Sequence, residues 1–508
     1  MLAIAGFLQL STMGVAPYLH LDEFMIVDLG RTVMDPRTDW SIAWIAGSDR
    51  PVFFWFYLGS VAQELVFRAA GEYGPRVFAL CGALLASGIM LRYLLLRGTQ
   101  RIPARVLGLA FLLDPLFVQS YSMGRLDSWA LASGLLACML LREIDGPQSL
   151  RRPSYSRVIL AGAVMAAGWL IWPSSVFLLP LLAIELREAA VRYRTIPQRL
   201  TAVGSFGLGC IGAGLVLMLP LTPVVIGQLP GLADGIATNT RSGSAAEPLS
   251  AAYYLAQLRE LIRILKFSPV TVILVLLTVL RRPKQDLVYG MLCAAGIMVL
   301  TVVYIHRVQY LLPYFIVLIA GLYPASRQPA PFARRRRPGI RKAWLAALII
   351  WCTGISVISR TILALEHRQE RNRDLVYRAA ESMIGAGHYG VLMPGEFYYA
   401  GRRLGWKMYK PYLAQNEPMT PETLEKVLPR LEYVIWSGST LPAVFRQTLT
   451  ANGMHEQGTM RLYTRPARAA ENVSWANGLR NLFSVQRQPY GPYTIYGRGK
   501  AQGQSINR

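Results

Sequence analysis

Charge is scarce in this chain: 16% of its 508 residues are charged, against about 25% in a typical soluble domain. Acidic residues are scarcer still, 29 Asp+Glu against 53 Lys+Arg, and lysine supplies only seven of those 53. An ordinary soluble enzyme does not have this balance. A disordered chain is excluded too, because disorder needs low hydrophobicity and 53% of these residues are hydrophobic. The five cysteines (Cys81, Cys138, Cys210, Cys293, Cys352) all fall in apolar stretches, so no disulfide framework or Cys-based metal site is expected and buried, apolar thiols are. No Walker or dinucleotide motif, no glycine-rich phosphate loop and no internal repeat is present.

What is present are long apolar runs. Eleven stretches read as membrane-crossing helices, roughly 1–19, 75–97, 105–122, 126–142, 157–172, 175–190, 201–223, 268–281, 286–305, 310–325 and 343–361. The first lacks a basic leader and a small-residue cleavage site, and reads as a retained helix. Arginines gather in alternate loops, at Arg92–Arg105, Arg142–Arg157, Arg187–Arg199, Arg281–Lys284 and Arg334–Lys342. Positive loops stay cytoplasmic. All five clusters agree only if 52–71 lies on the outer face as an amphipathic helix, as its Glu64 and Arg68 among aromatics suggest. The N-terminus is then inside, and 20–74, 224–266 and the tail from 362 are outside. The net charge of +24 is mainly a topology signal, and nucleic acid is not an expected partner, since no basic patch interleaves with aromatics in one soluble unit. The polar tail, 363–508, alternates helix-like (420–431) and strand-like (389–394, 432–438) stretches, which predicts a small α/β domain beside the 1–362 membrane domain; its Gly-, Gln- and Tyr-rich end, 488–508, reads as loosely ordered.

Loop 20–51 runs against the charge of the chain, with six carboxylates to three arginines. Asp22 and Glu23 follow the first span directly. Carboxylates at a membrane boundary are costly to desolvate and point to a general base or metal ligand; a helix N-terminus with acid in its first turn explains them equally well. Arg125 and Asp127 lie in a short turn that Gly124 lets close tightly, where a local salt bridge is the alternative reading. His306 and Arg307 lie at the outer end of a span, where the guanidinium either grips a phosphate or snorkels to headgroups. Together, carboxylates and arginines beside lipid suit a substrate with a phosphate and a buried apolar tail.

These stretches resemble the GT-C glycosyltransferases, in the branch of protein O-mannosyltransferases and lipid A aminoarabinose transferases. The resemblance rests on Asp22-Glu23 with Arg31 nine residues after Asp22, on Arg50-Pro51 where the family has Lys-Pro, on GPRVFAL around Arg76, on Arg125-Leu126-Asp127, and on Arg307 before Tyr310 and Pro313. It covers roughly 15–145 and 300–325. It implies a polytopic GT-C fold with interfacial helices in the first outer loop; the excess of arginine over lysine, 46 to 7, points to a bacterial chain and so to an inner membrane. It implies an inverting transfer of a sugar from a polyprenyl-phosphate carrier to a lipid, protein or polysaccharide acceptor. Asp22 would be the base, with Glu23 and Asp127 positioning it or holding a divalent cation such as Mg²⁺ or Mn²⁺. Arg31, Arg50, Arg125, His306 and Arg307 would serve the carrier phosphate. Two other readings share parts of this pattern, an oligosaccharide ligase or polymerase and a lipid-linked sugar flippase. The missing repeat and the boundary position of the charges favour an enzyme over a flippase.

Overall fold

The computed structural model describes residues 6, 10–15, 21–35, 40–42, 56–143, 154–221, 250–278, 285–301, 303–325, 338–359, 372–409, 420–438, 441–460 and 490–498. Most of the expected first span, and Arg50 with its proline, lie outside these residues.

Up to residue 359 the elements among the described residues are helices. Helix α1 (Leu21–Met34) is followed by α2 (Tyr57–Ala70) and α3 (Gly74–Leu96). At about 1.5 Å per residue, the 14 residues of α2 reach only ~21 Å, short of the ~30 Å hydrocarbon core. The polar groups of α2 turn inward: Ser60, Gln63 and Glu64 are buried while Leu65 is exposed. That polar face packs on protein, because unpaired polar groups cannot face lipid.

Next come α4 (Arg101–Leu113) and α5 (Pro115–Ser122), bent by 52° at Asp114-Pro115. Proline has no amide hydrogen and clashes with the preceding turn, so α4 cannot continue through it. Asp114 restarts the helix: its carboxylate accepts from the Leu116 amide (3.1 Å) and from Ser268 Oγ (2.6 Å). The break directs α5 into the turn that carries Arg125, and α6 (Asp127–Arg142) leaves from there.

Helices α7 (Tyr155–Ile171), α8 (Leu179–Val191) and α9 (Ile196–Met218) complete the first half. Helices α7 and α9 approach backbone to backbone at two glycines: a Cβ on Gly162 would stand 2.1 Å from the Phe206 carbonyl oxygen, and one on Gly209 would stand 2.0 Å from that of Ile159. Small residues permit such packing where lipid supplies no hydrophobic drive between helices. The second half holds α10 (Ala251–Leu265), α11 (Pro269–Thr278), α12 (Gln285–Leu300), the one-turn α13 (Ile305–Val308), α14 (Leu312–Ala320) and α15 (Pro338–Thr353). One continuous apolar core joins α3–α8 to α11–α15.

Among the described residues Ile196–Leu221 is long and apolar enough to cross a membrane, as is the run Tyr57–Leu96, in which α2 joins α3 through the 3-10 turn Gly71–Tyr73, and α4 with α5 qualifies as a bent pair. The other expected spans that are described are shorter apolar helices, four of them of 10–17 residues. One expectation needs correction. Cys81 and Cys293 are exposed rather than buried, on the outward faces of α3 and α12, where lipid tolerates a small apolar thiol as well as a core does. In the basic clusters, Arg97 and Arg142 both pair with the buried Glu185, and Arg142 also with Glu188, tying α3 and α6 to α8.

The tail forms α16 (Arg373–Met383), α17 (Tyr398–Leu404), α18 (Pro421–Val427), α19 (Ala443–Ala451) and a five-stranded sheet. The strands are β1 (Gly390–Leu392), β2 (Lys407–Tyr409), β3 (Tyr433–Ser437), β4 (His455–Met460) and β5 (Tyr493–Gly497), in the order β2-β1-β3-β5-β4. Strand β1 runs parallel to β2 and β3, while β5 is antiparallel to β3 and β4. The loose end expected at 488–508 is corrected for 490–498: β5 lies inside the sheet, with all five of its residues buried. Its Tyr-Thr-Ile-Tyr run fits a strand covered on both faces. This unit does not stand apart, since Phe24, Val27 and Ile42 share one apolar core with Val376, Phe397, Tyr398 and Trp406.

Candidate active site

The first turn of α1 places two adjacent carboxylates in different surroundings. Asp22 remains 34% exposed and pairs with Arg125. Glu23 is fully buried and accepts from Arg76 on α3, with Nη2 at 2.8 Å and Nε at 3.0 and 3.1 Å. Arg76 also donates to the Met13 carbonyl. The Glu23 side of the helix faces the tail: Tyr399 Oη donates to Glu23 at 3.4 Å, and the Arg373 guanidinium lies 3.8 Å away. Burial, and then the Glu23 charge, push the Tyr399 phenol pKa up, so it stays a neutral donor. Burial alone would lower the Arg373 pKa, but Glu23, Tyr490 and Glu72 outweigh it, and the guanidinium remains charged.

Arg125 is the hub. It comes from the turn between α5 and α6, where Gly124 has φ +69°, a conformation that costs any other L residue. A Cβ at Gly124 would also stand 3.2 Å from Glu23 Cγ. Besides Asp22, Arg125 pairs through Nε with Asp127 Oδ2 at 2.7 Å, and its guanidinium lies 5.3 Å from the Trp172 ring centre. Asp127 is fully buried and accepts from Ser120 Oγ (3.2 Å) and Tyr310 Oη (3.0 Å). Asp127 therefore fixes Arg125 from behind and leaves Asp22 as the accessible carboxylate.

Arg307, on α13, is close enough to feel repulsion from Arg125 and attraction from Asp127. Its ring neighbour is Tyr304, with 5.3 Å between the guanidinium carbon and the centroid. Helix α10 holds this segment in place: Gln257 Oε1 accepts from the Val303 amide at 2.7 Å, and Tyr253 Oη donates to the Thr301 carbonyl. Helix α13, which carries Arg307, packs on α5, the helix that leads into the Arg125 turn.

The structure thus brings together Asp22, Arg125, Asp127 and Arg307, with His306 beside Arg307 in α13. It does not bring in Arg31, which is buried against Asp28 (Nε to Oδ1 3.0 Å), donates to the Trp40 carbonyl (2.9 Å) and stacks 3.6 Å from the Trp40 ring centre. Its place is structural, pinning the loop after α1. Arg50 lies outside the described residues. The expected metal set of Asp22, Glu23 and Asp127 does not fit a cation. Glu23 is taken by Arg76, and Arg125 already occupies the position between Asp22 and Asp127. Among the described residues no three His, Cys, Asp or Glu side chains gather as a metal site. Sequence reasoning missed Ser120 and Trp172 altogether, and saw Tyr310 and Arg76 only as motif letters. The WPSS stretch ending a span was a signal for Trp172. Nothing in the local sequence linked Glu23 to Tyr399 or Arg373.

No family model and no curated protein matches the chain. Solved structures do. ArnT from Cupriavidus metallidurans bound to undecaprenyl phosphate is similar over 98% of this chain and 97% of its own, with a TM-score of 0.62 at 12% identity. The apo state of ArnT gives a TM-score of 0.59 at 13% identity over the same shares. The chain has the GT-C fold. That GT-C fold also relates it to the mycobacterial arabinofuranosyltransferase AftD, with a TM-score of 0.52 at 13% identity over 98% of this chain and 41% of AftD. A GT-C fold makes the helical part a polytopic membrane domain.

Proposed function

We propose that the chain is an inverting glycosyltransferase that moves a sugar from a polyprenyl-phosphate carrier to an acceptor hydroxyl at the outer face of the membrane. The observation that carries this reading is the Asp22–Arg125–Asp127–Tyr310 constellation with Arg307 beside it, on a GT-C fold. The neighbour solved with undecaprenyl phosphate supports a polyprenyl-phosphate partner.

In this mechanism Arg125 and Arg307 bind the carrier phosphate. The phosphate competes with Asp22 for Arg125, so donor binding frees Asp22 to take the proton of the acceptor hydroxyl. The acceptor oxygen attacks the anomeric carbon as the bond from that carbon to the phosphate oxygen breaks. The electron pair leaves with the carrier, which becomes a phosphate monoester, and the anomeric centre inverts. Fixed guanidiniums are suited to that developing charge, because they need not reorganise as it forms. An in-line displacement needs the base and the phosphate on opposite sides of the sugar, so Asp22, once displaced from Arg125, has to turn away from it towards the acceptor. Glu23 positions rather than reacts: locked to Arg76, it fixes the first turn of α1.

The same reading places 1–362 as the catalytic membrane domain and the tail as an extracytoplasmic unit, in a bacterial inner membrane with the N-terminus inside and up to eleven spans. The sugar is a hexose or pentose; lipid, protein and polysaccharide acceptors suit the open side of Asp22. The test is release of polyprenyl phosphate from a synthetic polyprenyl-phosphate sugar in membranes holding native envelope acceptors. Wild type should release it with glycan transfer; donor left intact under these conditions would reject the assignment.

A further inference from the structure

Asp114 is a buried carboxylate that the mechanism above does not use. It is fully buried, at the break between α4 and α5, inside an apolar span. Its partners among the described residues are neutral: Oδ1 accepts from the Leu116 amide, and Oδ2 from Ser268 Oγ. A charge at such a place is costly and needs a reason. Capping α5 is not a sufficient one, because a serine or asparagine caps a helix as well as an aspartate does. Nor is the break itself. The carbonyls it frees are served elsewhere, Leu112 by Tyr121 Oη at 3.2 Å and Leu113 by Ser356 Oγ.

The partnership with Ser268 supplies the reason. Ser268 is also fully buried, and it stands just before α11, where its Oγ accepts from the Thr271 amide at 3.2 Å. Its one hydroxyl hydrogen goes to Asp114, whose other oxygen already serves the first turn of α5. Only a carboxylate offers an acceptor oxygen to each side; asparagine has one, and the single oxygen of serine cannot reach both helices. The positive N-terminal ends of α5 and α11 meet at the same group and offset part of the cost of its charge.

The two helices joined there lead to the two arginines of the site. All eight residues of α5 are buried, and its far end runs into the Arg125 turn, where Ser120 donates to Asp127. Helix α11 continues from α10 after Lys266, Phe267 and Ser268. Helix α10 in turn holds the segment before Arg307, through Gln257 and Tyr253. The Asp114–Ser268 link is therefore the joint between the arm that carries Arg125 and the arm that holds Arg307.

We infer that Asp114 and Ser268 are positioning residues of the transfer reaction, which fix the spacing of Arg125 and Arg307 for the carrier phosphate. They act from about 12 Å away, the length of an eight-residue helix. The inference rests on the transferase reading for what the two arginines bind.

Its test measures binding of synthetic polyprenyl phosphate to the full chain in nanodiscs and, separately, sugar transfer from the matching polyprenyl-phosphate sugar. Asp114→Asn and Ser268→Ala should each weaken carrier binding about tenfold and raise the donor KM more than they lower kcat. The double variant should bind no more weakly than the weaker single one, since either change breaks the same link. In an Arg307→Ala background each change should cost less than about twofold, because the spacing no longer matters. Melting temperatures serve as the folding control, and Ser268→Ala, which removes only a hydroxyl, carries the test if Asp114→Asn does not fold. Unchanged carrier affinity in the folded variants, or a loss of the same size without Arg307, would overturn the inference. The expected losses in carrier binding, with no sugar transfer by wild type, would uphold the positioning role and reject the transferase reading. Wild type that binds no polyprenyl phosphate would overturn both.

Discussion

Asp22 and Glu23 are neighbours in the chain, and only the fold separates their roles. Asp22 stays accessible and meets Arg125; Glu23 is sealed against Arg76. Replacing Asp22 by Asn should lower turnover on the order of 100- to 10,000-fold, the range for loss of a general base, while donor binding persists. Arg307→Ala should raise the donor KM more than it lowers kcat, and initial rates against donor concentration would show this. Glu23→Gln should act through stability. It leaves the fully buried Arg76 guanidinium uncompensated, a loss of about 3–5 kcal/mol that thermal unfolding in detergent would register. At this scale the sequence was partly legible. The Asp-Glu pair, the Arg-x-Asp turn and the His-Arg end of a span were the stretches expected to carry the site, and the fold pairs Asp22 with Arg125 and Arg125 with Asp127. What could not be read was the sorting within it, because exposure and ion pairing depend on residues 53 to more than 350 positions away.

Among the elements, the turn between α5 and α6 does the most to place the hub. Its existence was legible from Gly124, but the break at Pro115 that leads into it was not, since 105–122 reads as one span. Gly124→Ala should cost about 1–2 kcal/mol for its left-handed backbone alone. It should also move Arg125, since the new Cβ presses on Glu23 Cγ. The expected outcome is a weaker donor affinity together with a lower melting temperature. Helix α2 shows the opposite case. Its amphipathic pattern was plain, but its polar face was expected toward water. Instead Glu64 is buried in a two-pronged pair with Arg402, whose Nη2 and Nη1 lie 2.9 and 3.1 Å from the carboxylate oxygens. Periodicity shows that a helix has two faces, and long-range partners decide what each one meets. Strand β5 was missed for a related reason: its few residues gain strand character only between β3 and β4.

Across the whole molecule, the excess of arginine divides between topology and structure. Orientation can be tested by cysteine labelling after the native cysteines are removed. A cysteine at exposed Glu425 should react with an impermeant maleimide in intact spheroplasts, and one at exposed Arg101 only after permeabilisation. The reverse pattern would invert the assignment. The tail packs on α1 and α2 through Arg402, Tyr398, Tyr399 and Arg373, which meet Glu64, Asp28 and Glu23. Tyr398 Oη reaches Asp28 at 3.4 Å, and burial, reinforced by the Asp28 charge, keeps its pKa high and the phenol neutral.

The central claim is that Asp22 and Arg125 form one catalytic pair that the donor phosphate splits. Single-turnover transfer from a synthetic polyprenyl-phosphate sugar, with wild type and Asp22→Asn at saturating donor, tests it most directly. The account predicts that the Asp22→Asn variant binds the donor at least as tightly as wild type, because Arg125 has lost its competitor, and that sugar transfer all but stops. Transfer by that variant at the wild-type rate would contradict it.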